Sequence, residues 1–241
     1  MRKFMMDLFP FLAPAGFVLA FAVALVAGTI KGIVGFAMPM IMVSGLSSIM
    51  APDLALAGLI LPTLVTNGFQ AMRQGPRAAW QSMKRFRAFL LVGGVFLMLS
   101  AQLVRVLPAQ VMLLIIGGPI TLFAVTQLMG KHLVLHAPSR RMEIGIGAFA
   151  GFIGGFSGIW GPPTVAYLTA LHVERRDFMR VQGVIYGLGA IALTIAHIGS
   201  GVLRAQTWPL GIAMLPTAIV GMWIGGLISD RIDQVVFRRT I

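Results

Sequence analysis

Uncharged stretches about as long as a bilayer is thick alternate with short polar segments over almost the whole chain. A membrane-spanning helix needs about 20 mostly apolar residues, and eight stretches come close to that length or exceed it. They are 8–30, 32–52, 54–72, 88–104, 106–130, 144–173, 181–203 and 205–229. The pattern predicts an all-α polytopic membrane protein.

The composition supports this prediction and excludes several classes of function. The chain has 241 residues, of which 58% are hydrophobic and 11% charged, whereas a soluble domain carries about 25% charged residues. The mean hydropathy is +0.90. The chain has no Cys, and its four His and seven Asp and Glu are scattered, so we expect neither a metal site nor a cofactor.

The net charge of +12 would suit a nucleic-acid-binding protein, but the positions of the basic residues argue against that partner. They lie in the gaps between the apolar stretches, as membrane topology requires. We therefore expect the lipid bilayer, and no nucleic acid, as a partner.

A repeated motif divides the chain into two halves. Shifting the sequence by 123 residues aligns the pattern G-x-I-x-G-x-x-G-x-x-x-P at 28–39 with the same pattern at 151–162. Glycine clusters followed by proline break helices. We therefore predict that 8–50 and 144–173 are helix–break–helix hairpins, with breaks near 31–38 and 154–161. The second hairpin is short and is expected to be re-entrant or tilted.

The distribution of positive charge predicts the topology. If each hairpin returns to the side on which it started and the loop 73–87 is cytoplasmic, most of the 19 lysines and arginines lie on the cytoplasmic side, as the positive-inside rule requires. The first hairpin then enters from outside and the second from inside. The halves 1–130 and 131–241 are thus predicted to be inverted repeats, an arrangement typical of transporters.

The second half is predicted to lack its last helix. The segment 230–237 resembles 105–112, which leads into the final helix of the first half, but the chain stops at Ile241. Either the chain is truncated, or a partner or lipid covers the gap, so a homo-oligomer is possible.

The two motifs suggest an anion site. Pro39 and Pro162 favour the first turn of a helix, and two helix N-termini that meet at mid-membrane would attract an anion. Lys31, in the first break, would add a full positive charge. The alternative is that the glycines allow close helix packing and that Lys31 snorkels to the cytoplasmic surface.

Other polar residues within the apolar stretches could complete the pocket or only bond neighbouring helices. Asn67 and Gln70 share a face with Arg73, and Gln182, Tyr186, Thr194 and His197 lie on 181–203. His197 could relay protons or could be a neutral side chain bonded to a carbonyl group. Trp160 is interpreted as a packing residue or interface anchor that belongs to the second motif.

An enzyme is the main alternative from another class. Gly155, Phe156, Ser157 and Gly158 read G-x-S-G, and His197 follows on the next stretch, so a Ser–His dyad of an intramembrane serine hydrolase is conceivable. The glycines, however, already belong to the repeat, and Val34 stands where Ser157 would be in the first half. A non-transporting membrane subunit is a further alternative.

The chain resembles the sulfite exporter TauE/SafE family of membrane transporters. The resemblance rests on GTIKGIVGFAMP at 28–39, GFIGGFSGIWGP at 151–162 and TNGFQAMRQGPRAAW at 66–80, and it extends from about residue 15 to 235. The family motif usually has a fuller run of glycines where Phe36, Ala37 and Met38 stand here.

The resemblance implies a multi-pass permease of the bacterial inner membrane that exports sulfite, a sulfonate or a related small anion, and not an enzyme. From the residues we expect alternating access. The expected anion-binding residues, which belong to the two motifs and to the polar faces of the neighbouring stretches, are Lys31, Gly35, Phe36, Pro39, Asn67, Gln70, Ser157, Gly158, Trp160, Pro162 and His197.

Overall fold

The computed structural model describes residues 14–129, 139–171 and 173–229, and these residues form helices and the turns between them. The last helix expected to be missing from the second half would follow 230–241, which lies outside the described residues. The helices are α1 (Pro14–Val34), α2 (Met38–Ser47), α3 (Pro52–Met72), α4 (Pro76–Arg85), α5 (Arg87–Ala101), α6 (Ala109–Leu128), α7 (Arg140–Ser157), α8 (Gly161–Ala170), α9 (Arg175–Gly199) and α10 (Trp208–Ser229).

Six of the described helices are long and apolar enough to cross a membrane, namely α1, α3, α5 with the turn after it, α6, α9 and α10. The eight uncharged stretches therefore do not correspond to eight spanning helices among the described residues. The stretch 32–52 contains a break and the 10-residue helix α2, which is only about 15 Å long. The stretch 144–173 is divided between α7 and α8.

Both predicted helix breaks are present and lie within the predicted ranges. The first lies between Val34 and Met38, and the second between Ser157 and Gly161. Gly35 (φ 87°) and Gly158 (φ 69°) occupy the left-handed region at the equivalent position of each motif, where glycine has no Cβ to clash. Lys31, however, lies in the last turn of α1 and not in the break itself.

The first two glycines of each motif bring helices together. In α1, Gly28 and Gly32 lie against the backbone of α10 at Ala218 and Met222. In α7, Gly151 lies against the backbone of Gly93 in α5, and Gly155 against that of Leu97 one turn later. The packing interpretation is therefore correct for these glycines, whereas Gly35 and Gly158 shape the breaks.

The contacts also fix the relative directions of the helices. In each of these helix pairs, the residue numbers of the contacting positions increase together along the two helices. α1 is therefore parallel to α10, and α5 is parallel to α7. At the centre, Gly183 of α9 lies against Ala71 of α3 and Gly187 lies near Asn67, so α3 and α9 are antiparallel.

The amphipathic helix α4 joins α3 to α5. Its Trp80 is exposed, and the Lys84 ammonium lies 5.4 Å from the centre of the Trp80 ring. The side chain of Arg180, near the start of α9, donates hydrogen bonds to Ser82 and Gln74. The end of α3 and the start of α9 are thereby held on one side of the protein.

Candidate functional site

The ammonium group of Lys31 is held inside the protein by α3. Only 1% of the residue is exposed, and Nζ donates a hydrogen bond to Oδ1 of Asn67. Because an ammonium group can only donate, Asn67 must turn its oxygen towards Lys31. The snorkelling interpretation is therefore wrong, since Lys31 points to a neighbouring helix and not to the membrane surface.

Lys31 has no acidic partner among the residues that the structure describes, where the salt bridge is between Arg180 and Asp177. A buried charge is costly unless it is paired and hydrogen-bonded, and ionisable groups inside membranes usually mark functional sites. The neutral amide of Asn67 supplies a hydrogen bond but no opposite charge. The surroundings of Lys31 are therefore suited to an anionic ligand.

Gln70 fastens the first break to α9. Its Nε2 donates hydrogen bonds to the carbonyl oxygen of Gly35 at 3.0 Å and to that of Met179 at 2.8 Å. Both amide hydrogens are thus used, and the buried Oε1 has no hydrogen-bond partner. Gln70 therefore both positions the break and offers an unused acceptor.

Two further buried amide groups have unused hydrogen-bonding capacity. Among the described residues, Nδ2 of Asn67 lacks a partner, and so does Oε1 of Gln182, whose amide group lies beside the Tyr186 hydroxyl. Gln182 adjoins the first break, since a Cβ atom at Gly35 would be 2.7 Å from its Oε1. Buried polar groups are normally paired, so this group of unpaired amides is a candidate ligand-binding region.

A crevice of about 380 Å³ lies against Lys31 and Gln70. Lys31, Gly35 and Gln70 line one side, and Met222 and Trp223 of α10 line the other. Arg73 also lines it and is exposed. We refer to this space as the Lys31 crevice; it is large enough for a small organic anion.

A second, much smaller pocket of about 10 Å³ lies between the two breaks; it has room for about one water molecule. It brings together five predicted site residues, Phe36 and Pro39 of the first motif and Gly158, Trp160 and Pro162 of the second. Tyr186 of α9 completes it, and its hydroxyl donates a hydrogen bond to the carbonyl oxygen of Gly161 at 3.3 Å.

The start of α8 has fewer free backbone N–H groups for an anion than the sequence suggested. Pro162 and Pro163 have no N–H, and the N–H of Thr164 is bonded to the carbonyl oxygen of Trp160. Gly161 is therefore the one residue in the first three of α8 with an amide donor. The pocket between the breaks consequently provides shape more than charge.

Ser157 and His197 lie apart from both cavities and do not bond to each other. The Ser157 hydroxyl donates to the carbonyl oxygen of Ile153 at 2.8 Å and accepts from the Ile159 amide at 3.1 Å. His197 lies 3.1 Å from both the Gly155 carbonyl oxygen and the Ser200 hydroxyl. The structure therefore supports the carbonyl-bonded interpretation of His197 and does not support a Ser–His dyad.

The residues that carry this site were partly visible in the sequence. Lys31, Asn67 and Gln70 were predicted and are brought together, whereas Met179 was missed and Gln182 was noted only as a polar residue. The isolated amide on an apolar stretch was the available signal for Gln182. Its contact with Gly35 required the three-dimensional arrangement. Within the described ranges, no cluster of His, Asp and Glu could hold a metal ion.

Comparison with known proteins agrees with the resemblance noted in the sequence. The family model described as sulfite exporter TauE/SafE matches residues 20–241, which is nearly the whole chain. Neither curated proteins nor solved structures gave a match. The family match confirms the resemblance, together with the expectation of a multi-pass membrane transporter that is not an enzyme: the chain belongs to the sulfite exporter TauE/SafE family.

Proposed function

We propose that the protein is a secondary transporter that moves a small anion, sulfite or a related sulfonate, through the membrane by alternating access. The observation that carries this proposal is the Lys31 ammonium, which is buried and, among the described residues, is paired with the neutral side chain of Asn67 and with no carboxylate. An anion that enters the Lys31 crevice would supply the missing opposite charge. The TauE/SafE family supports an anionic substrate.

The two halves, 1–130 and 131–241, act in this proposal as inverted repeats. The packing supports this, because α1 of the first half pairs with α10 of the second, and α7 of the second half pairs with α5 of the first. The equivalent helices α3 and α9 meet as an antiparallel pair at the centre. This exchange of partners is what a two-fold axis in the membrane plane would produce.

Further contacts support the opposite entry of the two hairpins. α1 runs with α3, since Lys31 bonds to Asn67 and Gly35 to Gln70. α5 runs with α9, since Ser82, shortly before α5, bonds to Arg180 near the start of α9, and Arg105, shortly after α5, lies against Gly201, just after α9. Because α7 is parallel to α5 while α3 and α9 are antiparallel, α1 and α7 run in opposite directions.

In the proposed mechanism the two cavities have different roles. The Lys31 crevice binds the anion, with Asn67 and Gln70 beside it. The pocket between the breaks is the barrier that opens and closes, because it is lined by residues of both hairpins. Movement of one hairpin against the other would expose the anion to alternate sides. Ser157 and His197 support the second hairpin and do not bind the substrate.

Export is the direction that the membrane potential favours. In a bacterial inner membrane, which is negative inside, moving one negative charge outwards gains about 2.3 kcal/mol per 100 mV. With the loop 73–87 in the cytoplasm, the exposed Arg73 lies at the cytoplasmic end of the crevice, where it would attract anions. The potential alone could therefore drive export.

A flux assay in proteoliposomes tests the proposed function. We expect sulfite flux with the wild-type protein and a loss of at least tenfold in Lys31→Met, which keeps the length of the side chain but removes its charge. Lys84→Met is the matched control, because Lys84 is exposed on α4 and its loss should leave the flux nearly unchanged. Absence of flux for sulfite and for sulfonates in the wild type would favour a non-transporting membrane subunit.

A further inference from the structure

We infer that the Lys31 crevice selects a monoanion that also donates a hydrogen bond, such as hydrogensulfite or a hydroxylated sulfonate, over a dianion and over an anion without a donor. This inference rests on the proposed function, because it assigns the substrate class of the same site. It follows from an inventory of the charges and of the unused hydrogen-bonding atoms around the first break.

The charge inventory favours a single negative charge. Lys31 is the buried cation that lines the crevice, and among the described residues it has no acidic partner. Arg73 also lines the crevice but is exposed, so solvent and salt screen its charge. Arg180, which is only partly buried, is already paired with Asp177. One buried positive charge balances one negative charge and leaves a second one unpaired.

The buried hydrogen-bond donors near the first break suit an ionised oxygen group. The Lys31 ammonium has three N–H groups, of which one is directed at Asn67. Nδ2 of Asn67 is also buried and has no hydrogen-bond partner. These groups can only donate, and a sulfonate or a similar oxyanion can only accept.

The buried hydrogen-bond acceptors near the first break require a donor on the substrate, which a fully ionised oxyanion does not have. Oε1 of Gln70 is buried and unpartnered, and its orientation is fixed because Nε2 is bonded to the carbonyl oxygens of Gly35 and Met179. Oε1 of Gln182, beside Gly35, is likewise unpartnered. A substrate hydroxyl would satisfy an acceptor of this kind, whereas an alkyl group would leave it unpaired.

Three two-carbon sulfonates separate these requirements. Ethanesulfonate carries one charge and no donor, 2-hydroxyethanesulfonate adds one hydroxyl group, and 1,2-ethanedisulfonate adds a second charge. Binding of each to the purified full chain in detergent would be measured by calorimetry. We expect 2-hydroxyethanesulfonate to bind about tenfold more tightly than ethanesulfonate, which is the effect of one hydrogen bond to a buried acceptor, and the disulfonate to bind at least tenfold more weakly than ethanesulfonate.

A variant assigns the acceptor. In Gln70→Met the preference for 2-hydroxyethanesulfonate over ethanesulfonate should disappear. Gln70 also bonds to Gly35 and Met179, so this variant could fail to fold. In that case, the affinities of the wild-type protein for the three sulfonates test the inference without the variant.

The outcomes distinguish this inference from the proposed function. Equal affinity for the two monoanions would overturn the donor requirement, and equal affinity for the disulfonate would overturn the charge requirement. In both cases, Lys31-dependent sulfite flux would leave the proposed function intact. If neither the sulfonates nor sulfite bind or move, both proposals fail together.

Discussion

Lys31 on α1 and Asn67 on α3 are joined by a hydrogen bond from the ammonium group to the amide oxygen, in the interior of the protein. Lys31 lies one turn before the first helix break, and Asn67 is one turn before Gln70, which bonds to Gly35 in that break. A charged side chain, an amide pair and a helix break are therefore linked within two turns. The proposed transport mechanism depends on this link.

Replacing Asn67 with Asp should separate stability from transport. The new carboxylate would pair with Lys31 and supply the opposite charge that we assign to the substrate. We expect Asn67→Asp to retain or raise the thermal unfolding temperature in detergent, and to lose at least tenfold in sulfite flux. Asn67→Gln, which keeps a neutral amide, is the matched control. Wild-type flux in Asn67→Asp would contradict the role of Lys31 as the partner of the anion.

The close contact between α5 and α7 predicts a large difference between two glycines of the same helix. A Cβ at Gly155 would overlap Ser100 and the carbonyl oxygen of Leu97, whereas one at Gly145 would meet nothing within 4 Å. We expect Gly155→Ala to lower the free energy of unfolding by about 1–3 kcal/mol because the contact becomes overpacked. Gly145→Ala should not lower it. Denaturation of both variants in the same detergent measures the difference, and equal stability would contradict the packing.

The left-handed backbone conformation of Ala37 leads us to predict a stabilising substitution at the first break. It has φ 73° and ψ −20°, a left-handed conformation that costs a residue with a Cβ roughly 1–2 kcal/mol. We therefore expect Ala37→Gly to raise the thermal unfolding temperature. Ala20→Gly, in the interior of α1, should lower it, because glycine costs about 0.5–1 kcal/mol in a helix. A decrease in both variants would show that Ala37 is not strained.

The chain offers a clean test of topology because it contains no cysteine. Single cysteines would be placed at the exposed positions Lys84, Arg141 and Arg204. We expect an impermeant maleimide to label Arg204→Cys in intact cells, and to label Lys84→Cys and Arg141→Cys only in inverted membrane vesicles. Labelling of all three from one side would contradict the inverted arrangement.

The sequence predicted the elements of the site better than their arrangement. The positions of the breaks were predictable because Gly35 and Gly158 are required by local backbone geometry, which a short motif encodes. The length of α2 was not, because the uncharged stretch 32–52 looks the same whether it forms one helix or a break followed by a short helix. The hydropathy of a segment indicates whether it prefers lipid or water and does not indicate where its helix breaks.

The roles of the polar side chains depended on contacts between distant parts of the chain. Asn67 and Gln70 were identified from their spacing on one helix, but the partner of each lies more than 30 residues away. His197 shows the opposite case. Its position within an apolar stretch suggested chemistry, and only the contacts with Gly155 and Ser200 show that its ring nitrogens serve the packing of α7 against α9.

The most direct test of the account is the affinity of the purified protein for sulfite with and without the charge of Lys31. Calorimetric titration of the wild type, Lys31→Met and the control Lys84→Met, all in the same detergent and salt, would provide it. The account predicts saturable binding by the wild type and by Lys84→Met, and a loss of at least tenfold in Lys31→Met. Unchanged affinity in a folded Lys31→Met protein would contradict the claim that this buried ammonium group binds the anion.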